Sequence, residues 1–244
     1  MGSFRQRGTK VLKAILKEMI CPDKCIICSK ILESPVESFT CNQCKVQLLE
    51  RDICNRCGKP YAFHEETCIY CNEEPLRLLR VRALFPYRDL YKESVQRWKY
   101  TGIRKYAKGY SELMIESWME ELKRELDVLV PIPISKKRYQ KRGFNQALDL
   151  ANELSYKTGI PVYDVLERCK ETKPQSSCKK EERATNIKGA IKVKEVVPFN
   201  EGITIAFIDD IYTTGSTVRE CMRVLEEEAV KINKAYILTV CLAL

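Results

Sequence analysis

No apolar run in these 244 residues approaches the roughly 20 residues that a helix needs to cross a bilayer. The basic amino terminus offers no secretion signal either, because residues 9–20 (TKVLKAILKEMI) interrupt their apolar positions with Lys10, Lys13, Lys17 and Glu18. Val11, Leu12, Ile15, Leu16 and Met19 instead form one face of an amphipathic helix, expected over residues 1–20, that docks on the protein's own core or on a membrane surface. A transmembrane segment is therefore not expected, and a cytoplasmic, thiol-reducing setting is. Histidine is almost missing, with His64 alone. The GxxxxGK[ST] loop is absent, which excludes that mode of phosphate binding. Between Cys21 and Cys71 apolar residues are scarce and show no lasting period, so burial alone cannot fold that stretch.

What that stretch has is cysteine: nine of the chain's 13. Eight of them form four CxxC knuckles, Cys25/Cys28, Cys41/Cys44, Cys54/Cys57 and Cys68/Cys71. A knuckle turns two thiolates onto one face, and two knuckles complete a tetrahedral Cys₄ shell, the preferred structural zinc geometry. Twelve residues separate the first two knuckles and ten the last two, a near-repeat that favours sequential pairing into two zinc ribbons. Alternate, cross-braced pairing satisfies the same spacing, and an iron–sulfur cluster is the other metal to weigh. Closed Cys₄ sites fold a segment and do not catalyse. Gly58, directly after Cys57, fits a positive-φ knuckle position. Cys21 is a spare, and with eight thiolates at hand His64 is not needed as a ligand. Cys169, Cys178, Cys221 and Cys241 are scattered and read as packing residues.

Late in the chain, Phe207-Ile208-Asp209-Asp210-Ile211-Tyr212-Thr213-Thr214-Gly215-Ser216-Thr217 joins an apolar strand to a hydroxyl- and glycine-rich turn that opens a helix. Ile203 to Ile208 has strand length and β-branching, and Thr217 to Val230 carries apolar positions at helical spacing. Amides freed at the helix start favour a dianionic phosphate, to which Thr213, Thr214, Ser216 and Thr217 add hydroxyl donors, while Gly215 allows close approach. Asp209 and Asp210 accept only, when ionised, and so suit vicinal sugar hydroxyls or a hydrated magnesium ion.

Between these regions strands and helices alternate. Strands are expected at Leu78–Tyr87, Asp127–Pro131, Pro161–Leu166 and Lys234–Leu242. Helices are expected from Leu90 through Trp98 toward Tyr106, over Ser111–Leu126 and over Gly143–Tyr156. The polar stretch Lys170–Lys188 is long enough to be a lid. The fold class is α/β, a mostly parallel sheet covered by helices, with ligands at the strands' carboxyl ends. The expected division is helix 1–20, double ribbon 21–76 and α/β domain 77–244. After the strand ending at Pro131, the stretch Ile134, Ser135, Lys136, Lys137, Arg138, Tyr139, Lys141 and Arg142 places five cations in seven residues beside the same sheet edge, able to neutralise a pyrophosphate. Those cations, with Tyr139 and Phe144 as stacking faces and a net charge of +9, equally suit single-stranded nucleic acid.

The DDIYTTGST run resembles the ribose-phosphate signature of type I phosphoribosyltransferases. Taken with the cysteine knuckles, Lys99-Tyr100-Thr101-Gly102, Val130-Pro131-Ile132-Pro133, Arg142-Gly143-Phe144-Asn145-Gln146-Ala147, and Arg168, Thr172, Gln175, Arg183, Asn186, Gly189 and Ala190, it narrows to a resemblance to the ComF/ComFC proteins of bacterial competence. The resemblance implies a type I phosphoribosyltransferase fold that binds phosphoribosyl pyrophosphate with magnesium. Asp209 and Asp210 would hold the ribose hydroxyls, Thr213 to Thr217 the 5-phosphate and Ile134 to Arg138 the pyrophosphate, with Arg183 as a lid cation. It also implies single-stranded DNA and a DNA-uptake helicase as partners, and membrane association only through the uptake machinery. A catalytically silent nucleic-acid adaptor and a nucleotide-salvage transferase are the alternatives, and no acceptor site is legible.

Overall fold

The computed structural model describes residues 22–32, 39–45, 54, 56–58, 68, 79–171, 185–194, 197 and 202–243. The expected amino-terminal helix, Cys21, His64, Cys71, Thr172, Gln175 and Arg183 lie outside them. The chain forms two compact units, Met1–Gln47 and Leu48–Leu244.

In the first unit a tight turn carries the leading knuckle. The Cys25 amide donates to the Lys30 carbonyl (2.8 Å) and the Ile26 amide to the Phe39 carbonyl (2.9 Å), while Lys24 and Ile31 form an antiparallel bridge. A single helical turn, α1 (Asn42–Lys45), carries Cys44.

The described strands of the second unit are β1 (Leu79–Pro86), β2 (Val128–Pro131), β3 (Leu166–Arg168), β4 (Ile191–Val193), β5 (Ile203–Tyr212) and β6 (Ile232–Leu242). Four of them build a parallel sheet in the order β1-β6-β5-β2, and β3 pairs antiparallel with β4. Its described helices include α2 (Asp89–Tyr100), α3 (Lys105–Met114), α4 (Glu120–Leu122), α5 (Lys136–Arg142), α6 (Gln146–Thr158) and α7 (Ser216–Glu227). This is the α/β class expected from the sequence, a parallel sheet flanked by helices. No helix of the described residues is long and apolar enough to cross a membrane.

The central strand shows why the pattern folds this way. Ile205 and Phe207 enter a core cluster with Cys221, Val224 and Leu225 of α7. Alternate residues Ala206 and Ile208 are equally buried and, by the pleat, face the opposite side, where α6 packs on β2 and β5. A parallel strand covered on both faces must be apolar throughout, as ITIAFI is. From β5 the chain passes through α7 to β6 on one side, whereas β2 borders β5 on the other. Loops therefore diverge at the carboxyl ends of β2 and β5 and leave a crevice between them.

Several boundaries differ from expectation. The helix running toward Tyr106 stops at Tyr100, because Gly102 takes a positive φ of 69°, and a new helix begins at Lys105 rather than Ser111. A π-helical turn at Ile115–Met119 joins α3 to α4. The strand expected over Pro161–Leu166 reduces to one bridge, Leu129 to Val162, with β3 starting at Leu166.

Candidate functional site

Strand β5 runs two turns of pleat further than its apolar stretch, so Asp209 and Asp210 lie within the strand's end, half-buried, with Asp209 opposite buried Thr239 of β6. The Asp210 amide donates to Asp209 Oδ1 at 2.8 Å. Lys99, from the last turn of α2, reaches the second acid at 2.9 Å, the two side chains only 12% and 14% exposed. Burial first, and the Asp210 charge second, push the Asp209 carboxyl up to about 7, although the Asp210 amide, Lys99 and Arg168 pull the other way. Asp210 is thus paired with the Lys99 ammonium, while burial favours the protonated form of its neighbour.

Beyond them the turn Thr213–Thr217 enters α7. Gly215 is its N-cap at φ 73°, and a Cβ there would meet the Tyr212 hydroxyl at 2.6 Å, so both backbone and space demand glycine. Thr214 Oγ1 and Ser216 Oγ lie 2.9 Å apart, and Arg219 Nη2 donates to the Thr214 carbonyl at 2.8 Å, bracing the turn from behind. Among the described residues no carbonyl outside the helix takes the amides of Thr213 to Thr217, as expected for the opening of a helix. The hollow there is small, about 20 Å³, and is lined by Asp209 and Ile211 to Val218.

Across the crevice the basic stretch is helical. Ser135, buried, caps α5 by accepting from the Arg138 amide (3.4 Å), and Gly143 ends it at φ 80°. None of α5's residues is buried. The next motif residues each have a structural task. Phe144 is buried, which corrects the expectation that it offers a stacking face. Asn145 accepts from the Ala147 amide to cap α6, donating also to the Ile132 carbonyl at 3.1 Å, and buried Gln146 holds Arg142 at 2.8 Å.

Two further groups enter the crevice without having had a role in the sequence reading. Arg168, buried at the end of β3, has its guanidinium lowered to about 10 by burial and by the charge of Arg138, against the pull of Asp209 and Glu171. Glu171 places one carboxylate oxygen 2.8 Å from the Ser135 hydroxyl and the other 3.0 Å from the Lys137 amide. An anion of the chain's own thus sits on the loop expected to take pyrophosphate. Beside it opens a larger cavity of about 360 Å³, between Pro133, Ile134 and Tyr139 on one wall and Leu166, Arg168 and Lys194 on the other.

The cysteines gather in sequence order. The sulfurs of Cys25, Cys28, Cys41 and Cys44 all lie within 4.8 Å of one another, as do those of Cys54, Cys57 and Cys68. The Cys28–Cys41 and Cys57–Cys68 separations are each 3.7 Å. A tetrahedron with zinc–sulfur bonds of about 2.3 Å has edges of about 3.8 Å. The donor sets therefore fit zinc, in the sequential pairing rather than the alternate one. Gly58 takes the positive φ of 71° that its knuckle requires.

No family model matches the chain. The solved adenine phosphoribosyltransferase of Leishmania tarentolae overlaps 59% of this chain and 73% of its own at 9% identity, with a TM-score of 0.36. Competence protein ComFC of Streptococcus pneumoniae is 29% identical over 232 residues, 87% of this chain and 98% of that protein. Competence protein ComFC of Bacillus subtilis is 33% identical over 196 residues, 77% of this chain and 78% of its own length. The chain belongs to the ComF/ComFC competence protein family.

Proposed function

We propose that the protein binds phosphoribosyl pyrophosphate with magnesium in the crevice between β2 and β5, and acts in DNA uptake for natural transformation. The observation that carries this reading is the pairing of Asp209 and Asp210 with a helix start whose amides take no carbonyl from the described residues outside the helix. Asp210, held by Lys99, accepts from one ribose hydroxyl. Asp209 accepts from the other when ionised and donates to it when neutral. Thr213 to Thr217 receive the 5-phosphate. Ser135 and the Lys137 amide face the pyrophosphate with Arg138 and Arg168 behind them, once Glu171 has withdrawn. Bound magnesium supplies charge neutralisation on the pyrophosphate. Fixed charges of this kind stabilise a departing pyrophosphate without any covalent nucleophile. Arg183 is the lid cation of this reading.

Calorimetry with phosphoribosyl pyrophosphate and magnesium tests it. Changing both aspartates to Asn is expected to abolish binding without loss of fold or metal, and unchanged affinity defeats the assignment. Whether turnover occurs is decided by pyrophosphate release across a panel of bases, amines and oligonucleotides, where release that depends on one acceptor identifies a transferase.

Single-stranded DNA is the second ligand, favoured by a helix, α5, that buries none of its residues and carries Lys136, Lys137, Arg138, Tyr139, Lys141 and Arg142. Charge reversal at Lys136, Lys137 and Arg138 is expected to weaken strand binding and flatten its salt dependence.

A further inference from the structure

We propose that Tyr100 and Tyr139 form a stacking platform for unpaired bases of a single nucleic-acid strand, with Lys141 and Arg142 set to receive its phosphates. The inference rests on the single-strand reading above and adds a residue, Tyr100, that the basic helix does not contain.

Tyr100 ends α2 directly after Lys99. Lys99 turns inward to Asp210 while the Tyr100 side turns out, 56% exposed. The turn that follows is fixed rather than loose. Gly102 sets its direction, and Arg104 Nε, two residues on, donates to Asp149 Oδ2 of α6 at 2.8 Å. Lys141 Nζ lies 5.2 Å and Arg142 Cζ 5.6 Å from the Tyr100 ring centroid. Cations over an aromatic face are held there by its quadrupole. Gln146 fastens Arg142 a second time. Two charges that would otherwise move freely are therefore arranged in advance over a ring that remains partly exposed. Tyr139, from the same helix as both cations, is 54% exposed and borders the 360 Å³ cavity, which gives a neighbouring base room to enter.

An ordinary solvated basic face needs no exposed aromatics, and α5 contains no acid to balance its cations. Rings and cations interleaved in this way match a ligand that has planar faces and regular negative charge. In a duplex those faces are hidden, whereas a single strand presents them.

The test is fluorescence anisotropy of a labelled oligothymidylate with the full metal-bearing chain at several salt concentrations. Tyr100→Ala is expected to weaken binding by about tenfold, and Tyr139→Ala similarly, without changing the salt slope; Tyr100→Phe, which keeps a face, retains most of the affinity. Lys141→Gln and Arg142→Gln each reduce the slope by about one. Melting temperature and zinc content, read alongside, confirm that the variants are folded. Parental affinity in Tyr100→Ala, or equal competition by duplex DNA or by polyglutamate, overturns the platform. No binding by the parent protein overturns the single-strand reading together with it.

Discussion

Asp209 and Asp210 are neighbours in sequence with different surroundings, and the difference has a sign that can be measured. The Asp209 carboxyl is raised to about 7, by burial before all else, whereas an aspartate in the unfolded chain titrates at about 3.9. Between those values the folded protein keeps a proton that the unfolded chain has released. The stabilisation that this one carboxyl contributes to the ligand-free protein therefore falls as pH rises through roughly 4 to 7 and is level above it. Asp209→Asn is expected to raise the melting temperature at pH 8 by a few degrees, about 1–2 kcal/mol, and to change it little at pH 4. Melting curves at the two pH values check this, and an equal shift at both removes the cause given. Glu171 offers a second residue-level outcome. The Lys137 amide first, and the Ser135 hydroxyl next, hold its carboxylate below the usual range, so it competes as an anion. Glu171→Gln is expected to tighten binding of inorganic pyrophosphate by about threefold to tenfold, since a neutral amide surrenders charge-assisted donors more readily. Calorimetry showing equal or weaker binding contradicts this.

Helix α5 is the element in which sequence and structure differ most. Its seven residues KKRYQKR carry no apolar periodicity, and a helix that buries no side chain leaves none to be read. What sets it are its two ends, the Ser135 hydroxyl and the left-handed Gly143. Ser135→Ala is expected to cost about 1 kcal/mol, seen as a lower denaturation midpoint, and to release Glu171 from one of its two donors. By contrast β5, α7 and β6 were legible, because strands covered on both faces and an amphipathic helix must display their burial in sequence. The acid pair was legible for the same reason, as two charges interrupting an apolar strand. Lys99 was visible only as part of a motif; its pairing with Asp210 depends on α2 stopping at Tyr100, a tertiary fact. The π-helical turn at Ile115–Met119 had no sequence signal at all. In the phosphate turn Gly215→Ala would set a Cβ 2.6 Å from the Tyr212 hydroxyl in a left-handed backbone, and a loss of roughly 1–3 kcal/mol is expected by thermal melting.

For the molecule as a whole, the third knuckle and the sheet meet among the described residues. The two cysteine clusters predict two zinc ions per chain by elemental analysis; a value of one would leave four of the eight knuckle thiols without a metal. In the sheet order β1-β6-β5-β2 the outermost strands are β1 and β2, each with a row of backbone groups turned outward. Residues 161–163 close one of these margins, where the Leu129 amide donates to the Pro161 carbonyl and the Tyr163 amide to the Leu129 carbonyl. The other is met by the third knuckle: the Val81 amide donates to the Arg56 carbonyl at 2.8 Å, and a Cβ on Gly58 would lie 3.2 Å from Val81. The knuckle therefore works as a selvedge. Unpicked by a chelator, it would bare a ready template for pairing with another chain, so demetallation should announce itself as turbidity while circular dichroism still records an intact sheet.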